Sequence, residues 1–239
     1  MEVWPAIDLR GGNCVRLLQG DYGRETVFGN DPAAMARRWV AQGASCLHLV
    51  DLDGARDGRS VNQAAIAAIV QAVSVPCELG GGIRDRETIQ QMLDLGLTRL
   101  VIGTKALKDP SWFHEMCSAF PGRLAVGIDA RDGRVATDGW LSVSDVPAVQ
   151  LAQEISREPI AAIIYTDIAR DGMMNGPNFE AMEQMQRAVG VPVVASGGVT
   201  TAEDVRQLAQ RGLAGCIIGR TLYEGKLTLA SALAAAAAT

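Results

Sequence analysis

Apolar and polar positions along this chain fall into two alternating patterns: short continuous apolar runs, and longer stretches in which apolar residues recur at helical spacing. Short runs bounded by turn residues read as strands covered on both faces, and the helical stretches as amphipathic helices between them. The first run ends at Ala6-Ile7-Asp8-Leu9 and is closed by Arg10-Gly11-Gly12. Residues 13–18 predict a second short strand, and residues 19–30, rich in Gly and polar residues, a long loop of the kind that often carries function. Asp31-Pro32 supplies an N-cap and a Pro at the first helical position, and the helix runs to about Gln42, where Gly43 ends it. Strands at 45–51, 76–79, 99–102, 123–129, 161–166, 192–195 and 215–218 then alternate with helices at 61–73, 85–95, 110–119, 146–157, 179–189 and 201–211, and a last helix ends in the alanine run 234–238. Eight βα units predict a (β/α)₈ barrel, the TIM barrel. An open doubly wound sheet is the rival, but no GxGxxG follows the first strand.

The pattern also repeats. Asp8 and Asp129 lie 121 positions apart, and Asp51 and Asp167, Gly81 and Gly197, and Gly103 and Gly219 each lie 116 apart. Four ordered strand ends at nearly one spacing predict a single domain over 1–239 built from two half barrels, about 1–121 and 122–239, by duplication. Chance likeness of Gly-containing turns is the alternative.

Composition narrows the class. With 48% apolar and 21% charged residues the chain has a globular profile, and a net charge of −5 argues against general nucleic-acid binding while leaving room for local Arg around a small anion. Five scattered cysteines, with no CxxC pair and no His at ligand spacing, read as buried free thiols, which fits a reducing cytoplasm and gives no metal site. No secretion signal and no apolar run of membrane-spanning length is expected.

Candidate chemistry lies at the strand ends. Gly81 and Gly82, and their counterparts Gly197 and Gly198, each follow a strand and precede a helix, an arrangement in which backbone N–H groups and a helix N-terminus bind phosphate. Gly103-Thr104 and Gly219-Arg220 end the next strand in each half. For any one loop a tight turn explains glycine equally well; four at symmetric positions favour two phosphate cradles on opposite sides of one mouth, and hence a ligand with two phosphates. Between them Asp8 and Asp129 can divide general acid and general base, or simply cap helices and pair with Arg10 and Arg131. In a barrel Asp8, Asp51, Asp129 and Thr166 should converge at the mouth, Thr166 either bonding to a carboxylate or to the substrate, or serving as a plain strand residue. Asp171-Gly172 opens a polar loop suited to closing over a ligand, and Trp140 can stack on a planar ring or pack on the rim. His48 reads as a buried, satisfied histidine, or as a functional one if it faces inward near the mouth; His114 belongs on a helix surface.

Taken together, Pro5-Ala6-Ile7-Asp8-Leu9, His48-Leu49-Val50-Asp51-Leu52-Asp53, Gly80-Gly81-Gly82-Ile83-Arg84, Gly127-Ile128-Asp129, Gly139-Trp140, Thr166-Asp167-Ile168-Ala169-Arg170-Asp171-Gly172 and Ser196-Gly197-Gly198 closely resemble, over essentially the whole chain, the phosphoribosylformimino-5-aminoimidazole carboxamide ribotide isomerase family of histidine biosynthesis. The resemblance implies an intramolecular oxidoreductase: a sugar isomerase carrying out an Amadori rearrangement of a bis-phosphorylated aminoaldose. It implies Asp129 as general acid opening the furanose, Asp8 as base at the sugar C2, and Thr166 supporting the acid, with no metal or organic cofactor and a monomer in the cytoplasm. Many relatives carry Thr where this chain has Met173. The sister cyclase, which works beside a glutaminase, shares the Asp pair but typically has Cys-Leu-Asp in place of Ala6-Ile7-Asp8. Two further alternatives are a non-catalytic phosphosugar-binding barrel and acceptance of phosphoribosylanthranilate.

Overall fold

Strands separated by a helix return in the same direction, so successive apolar runs pair in parallel. The computed structural model describes residues 1–137, 139–140 and 142–238. Its strands are β1 (Glu2–Arg10), β2 (Asn13–Leu18), β3 (Asp21–Gly29), β4 (Leu47–Asp51), β5 (Cys77–Gly80), β6 (Arg99–Ile102), β7 (Leu124–Arg131), β8 (Arg134–Thr137), β9 (Ser142–Pro147), β10 (Ala162–Asp167), β11 (Val193–Ser196) and β12 (Gly215–Ile218). Parallel pairing runs β1–β4–β5–β6–β7–β10–β11–β12 and returns to β1, where Glu2 faces Gly215. The result is a closed (β/α)₈ barrel.

Around it lie α1 (Pro32–Ala41), α2 (Leu52–Asp57), α3 (Gln63–Ala72), α4 (Arg86–Asp94), α5 (Thr104–Lys108), α6 (Pro110–Ala119), α7 (Ala148–Ile155), α8 (Phe179–Ala188), α9 (Ala202–Gln210), α10 (Arg220–Tyr223) and α11 (Leu229–Ala237). Asp31, Asp85 and Asp109 cap α1, α4 and α6 by accepting from backbone N–H groups in the first turn. The outward-facing side chains of the strands, among them Ile7, Leu49, Leu79, Ile102 and Ile128, form the core beneath the helices. The inward-facing set fills a second, smaller core with Trp4, Ala6, Ala125, Ala162, Ile164, Val194 and Ile217. The strand period of two decides which set a residue joins.

Three features depart from the sequence reading. Residues 21–29 form a strand, β3, rather than a loop: it pairs antiparallel with β2, Val15 opposite Val27 and Leu17 opposite Glu25. Most of β3 is exposed, so it carries no apolar alternation to announce it. Second, β8 and β9 form an antiparallel pair after β7, and β9 takes residues assigned to the start of a helix, which begins at Ala148 instead. Third, α2, α5 and α10 are short extra helices at the mouth. The turns joining β1 to β2 and β7 to β8 match: Gly11-Gly12 and Asp132-Gly133 all have positive φ, as a two-residue hairpin turn with the right twist requires.

Candidate active site

At the C-terminal ends of the barrel strands the inward-facing residues stop short of filling the interior, leaving a cavity of about 310 Å³. Asp8 belongs to the same inward parity as Trp4 and Ala6 on β1, and Asp129 to that of Ala125 and Gly127 on β7. Because β1 and β7 are four strands apart around a ring of eight, the two carboxylates enter from opposite walls. Both line the cavity, as do Thr166, His48, Trp140, Asp171 and Gly172. Gly81, Gly82, Gly103 and Thr104 line one side, and Gly197, Gly198, Gly219 and Arg220 the other. Asp51 does not join them. It falls on the outward parity, is fully buried, and accepts from Gly54 N (2.8 Å), Val61 N (2.7 Å), Asn62 N (3.0 Å), Asn62 Nδ2 (2.7 Å) and Ser60 Oγ (3.2 Å). Its counterpart Asp167 similarly ties Ala169 N and Asn178 Nδ2.

The two cavity carboxylates have unlike partners. Asp8 Oδ1 lies 2.8 Å from Arg16 Nη1, both side chains nearly enclosed. Burial raises the Asp8 carboxyl above its ordinary value, while the charges of Arg16 and His48 pull it down. Asp129 Oδ2 accepts from Trp140 Nε1 at 2.8 Å, and Thr166 stands opposite it in the β7–β10 register. Burial raises Asp129 as well, opposed by hydrogen bonds from Trp140 and Thr166 and by the charge of His48. A full cation thus touches Asp8, whereas the groups that touch Asp129 are neutral donors. Arg16 escaped the sequence reading: it is one Arg in the apolar strand Cys-Val-Arg-Leu-Leu, and only the β1–β2 hairpin brings it back onto Asp8.

Asp171 is a third carboxyl at the cavity. Burial raises it from 3.8 to about 6, against the pull of Arg16, with Asp8 and Asp129 adding to the rise. A raised carboxyl contributes stability below its unfolded value and loses it as pH rises through about 6, so at pH 8 it is a burden on the order of 1–3 kcal/mol. Asp171→Asn is therefore expected to melt higher than wild type at pH 8, by roughly 2–10 °C, with the gap closing towards pH 4. A lower melting temperature at pH 8 would contradict this sign.

The glycine loops satisfy a steric demand first. Gly81 has φ +99° and its missing Cβ would strike the carbonyl of Asp51; at Gly197, φ +94°, a Cβ would come within 2.7 Å of the Asp167 carbonyl. The tight-turn reading therefore holds for both. Gly103 differs, because a Cβ there would meet nothing within 4 Å. Gly103 and Gly219 are the N-caps of α5 and α10, and neither offers a side chain to the N–H groups of the first turn, which leaves that turn suited to an anion. Basic residues differ between the sides: Arg84 and Lys105 at one, Arg16 and Arg220 at the other. Across the mouth the Trp140 ring packs on Gly20, where any Cβ would come within 2.5 Å of the indole, so the hairpins of both halves meet over the cavity. His48 combines its two alternatives: it lines the cavity and its Nδ1 is bonded to buried Glu78 at 2.6 Å. His114 is exposed on α6 beside Glu158. Among the described residues no group of three or more His, Cys, Asp or Glu is placed to hold a metal ion, and no helix is long and apolar enough to cross a membrane.

Comparison with known proteins agrees with this architecture. The family model described as "Histidine biosynthesis protein" matches residues 2–228. A protein of Rhodopirellula baltica named 1-(5-phosphoribosyl)-5-((5-phosphoribosylamino)methylideneamino) imidazole-4-carboxamide isomerase is 56% identical over 232 residues, covering 96% of this chain and 92% of the relative. Proteins of the same name from a Cyanothece species and from Desulfosudis oleivorans are 52% and 51% identical, covering 98% and 100% of this chain and 93% and 96% of the relatives. A match of this extent, on a closed barrel whose mouth carries the opposed carboxylates, makes the chain a member of the histidine biosynthesis protein family of (β/α)₈ barrels.

Proposed function

We propose that this chain is the aldose–ketose isomerase of histidine biosynthesis that its relatives are named for, and that it carries out the Amadori rearrangement with Asp129 as general acid and Asp8 as general base. The observation that carries the assignment of roles is the unlike pairing of the two carboxylates, Asp8 with the Arg16 cation and Asp129 with the neutral donors Trp140 and Thr166. A cationic partner favours the ionised form more strongly than a neutral donor does, so Asp8 stands ready to take a proton and Asp129 is the easier of the two to protonate. Asp129 gives its proton to the furanose ring oxygen; the ring C–O bond breaks as the amino nitrogen lone pair forms a C=N bond to C1. Asp8 then removes the proton from C2, and the electrons of that C–H bond form the enolamine. Tautomerisation to the ketone completes the isomerisation with no net gain or loss of atoms or electrons.

The relatives' printed name contains two phosphoribosyl groups, and the cavity is flanked by two glycine loops with uncapped helix starts and basic residues on each side. We assign Gly81, Gly82, Gly103 and Thr104 to one phosphate and Gly197, Gly198, Gly219 and Arg220 to the other. Holding both ends fixes the sugar between the carboxylates, and positioning of this kind can lower a barrier by several kcal/mol. Asp171 and Gly172 line the ligand from the loop after β10, and Trp140 contributes a flat face. In this reading the enzyme works as a monomer in the cytoplasm, without a partner chain or cofactor. The direct test is an absorbance assay of the aminoaldose with purified chain alone; a requirement for ammonia or a glutaminase would favour the sister cyclase instead.

Arg16→Gln provides a finer check. Arg16 pulls the Asp8 carboxyl down, so its loss should move the acidic limb of kcat/KM, which reports ionisation of the base, to higher pH. A limb that stays in place would remove Asp8 from the role of base. The same reading takes residues 1–121 and 122–239 as products of one duplicated half barrel, supported by the matched hairpin turns at Gly11-Gly12 and Asp132-Gly133 and by the paired Asp51–Asn62 and Asp167–Asn178 contacts. Superposition of the halves should keep these contacts in register, and failure to do so would refute it.

A further inference from the structure

Below the mouth the halves cease to match. His48, Glu78 and Arg99, on β4, β5 and β6, correspond by the 116-residue offset to Ile164, Val194 and Gly215. One half of the barrel interior is apolar at these positions, and the other carries a connected line of charge. Glu78 is fully buried; its Oε1 lies 2.6 Å from His48 Nδ1, and its Oε2 accepts from Arg99 Nε. The Arg99 guanidinium stacks 4.4 Å from the centre of the Trp4 ring, and Trp4 Nε1 donates to Glu2 Oε2 at 3.0 Å. The line therefore runs from the cavity floor, which His48 lines, to the far end of the barrel.

Filling space does not account for it. A buried carboxylate and guanidinium carry a desolvation cost that even good pairing only roughly offsets, and apolar residues of similar volume serve as well or better for stability. The second half does this with Ile164 and Val194, both in the interior core. What the charged line does control is the His48 ring. Burial would raise the Glu78 carboxyl, but hydrogen bonds and charges from His48 and Arg99 outweigh it and hold it below the usual range. An ionised carboxylate only accepts, so the proton in the 2.6 Å contact belongs to His48 Nδ1. Nε2 is then the nitrogen left for the cavity that Asp8 and Asp129 also line.

We propose that Glu78 and Arg99 are positioning residues for the isomerisation, Glu78 fixing His48 with its proton on Nδ1 and Nε2 turned to the reacting sugar, and Arg99 keeping Glu78 a carboxylate. Because Nε2 is fixed, His48 meets the sugar from below while the two Asp residues act from the sides. This rests on the isomerase reading, but its first test does not need turnover. The chain has two histidines, so ¹⁵N-histidine labelling gives two ring systems, and a His114→Asn variant identifies the exposed one.

In the ligand-free wild type His48 is expected to carry its proton on Nδ1, and a proton on Nε2 alone would overturn the proposal with no mutation made. Glu78→Gln can donate as readily as it accepts and should release the tautomer. That change should lower kcat about tenfold or more, as expected when a reacting group is misplaced, while KM stays within about twofold because the phosphate loops are untouched. Since Glu78→Gln leaves Arg99 unpaired at a cost in stability, the double variant Glu78→Gln/Arg99→Met removes both charges; it should melt no lower than wild type and show the same released tautomer and the same fall in kcat. Full kcat with the tautomer released, or a fall in kcat with the tautomer unchanged, would each refute the positioning role. Absence of turnover in the wild type would refute the isomerase reading and leave the tautomer measurement standing.

Discussion

Asp8→Asn should lower kcat by about 10³-fold or more while the protein folds as before. The amide has the shape of the carboxylate, and its oxygen can still accept from Arg16 Nη1, so the contact at 2.8 Å is weakened rather than vacated. What it cannot do is take a proton, and general-base transfer is worth about 10²–10⁴-fold. KM should change little, since the loops proposed to hold the phosphates are not altered by the substitution. Asp129→Asn should fall in the same range, because an amide does not deliver a proton to the ring oxygen. The measurements are kcat from the absorbance assay, with circular dichroism and a thermal melt to confirm the fold. Turnover above a tenth of wild type in Asp8→Asn would remove this residue from the proposed mechanism.

The second large effect lies at a residue that resembles Asp8 in sequence and differs in position. Asp51→Ala removes the acceptor for three backbone N–H groups, one amide and one hydroxyl, all gathered at a fully buried carboxylate. Leaving buried donors unpaired costs about 1–3 kcal/mol each, but the loop can relax towards water, so a total of about 3–5 kcal/mol is expected. For a chain of this length that is a fall of roughly 6–20 °C in melting temperature. Activity of the molecules still folded should fall as well, since a Cβ on Gly81 would strike the Asp51 carbonyl and the glycine loop proposed to hold one phosphate therefore leans on this same backbone. An unchanged melting temperature would show that the Asp51 network contributes nothing to the fold.

The contrast between these two residues marks how far the sequence could be read. Strand ends were legible because runs buried on both faces stand out against amphipathic helices, and the repeat then picked out Asp8, Asp129 and the glycines as matched positions. Parity was not. Asp51 ends its strand and Asp8 lies near the end of its own, but Asp51 faces the helices, and a one-residue difference in phase separates a cavity group from a cap. β3 escaped notice because an exposed ribbon needs no apolar alternation. Arg16 was hidden for another reason: its value lies in a contact across a hairpin, with a residue eight positions back. His48 stayed ambiguous because Glu78, which fixes its ring, is 30 residues away in the chain and adjacent only in the sheet. Local pattern reveals elements; a site made of inter-strand contacts needs the register.

Closure of the sheet has a consequence for how the protein comes into being. β1 pairs with β12, Glu2 facing Gly215 and Pro5 facing Ile218, and the Met1 amine reaches the Ala236 carbonyl. β1 is therefore flanked by β12, and the barrel wall beside it stays open until synthesis has passed residue 218. A growing chain can pair β4 through β11 locally, but it cannot close the cavity that Asp8 and Asp129 line from opposite walls. Contacts of such long sequence separation are slow to form. The nascent chain is without its active mouth until nearly the final helix has been made.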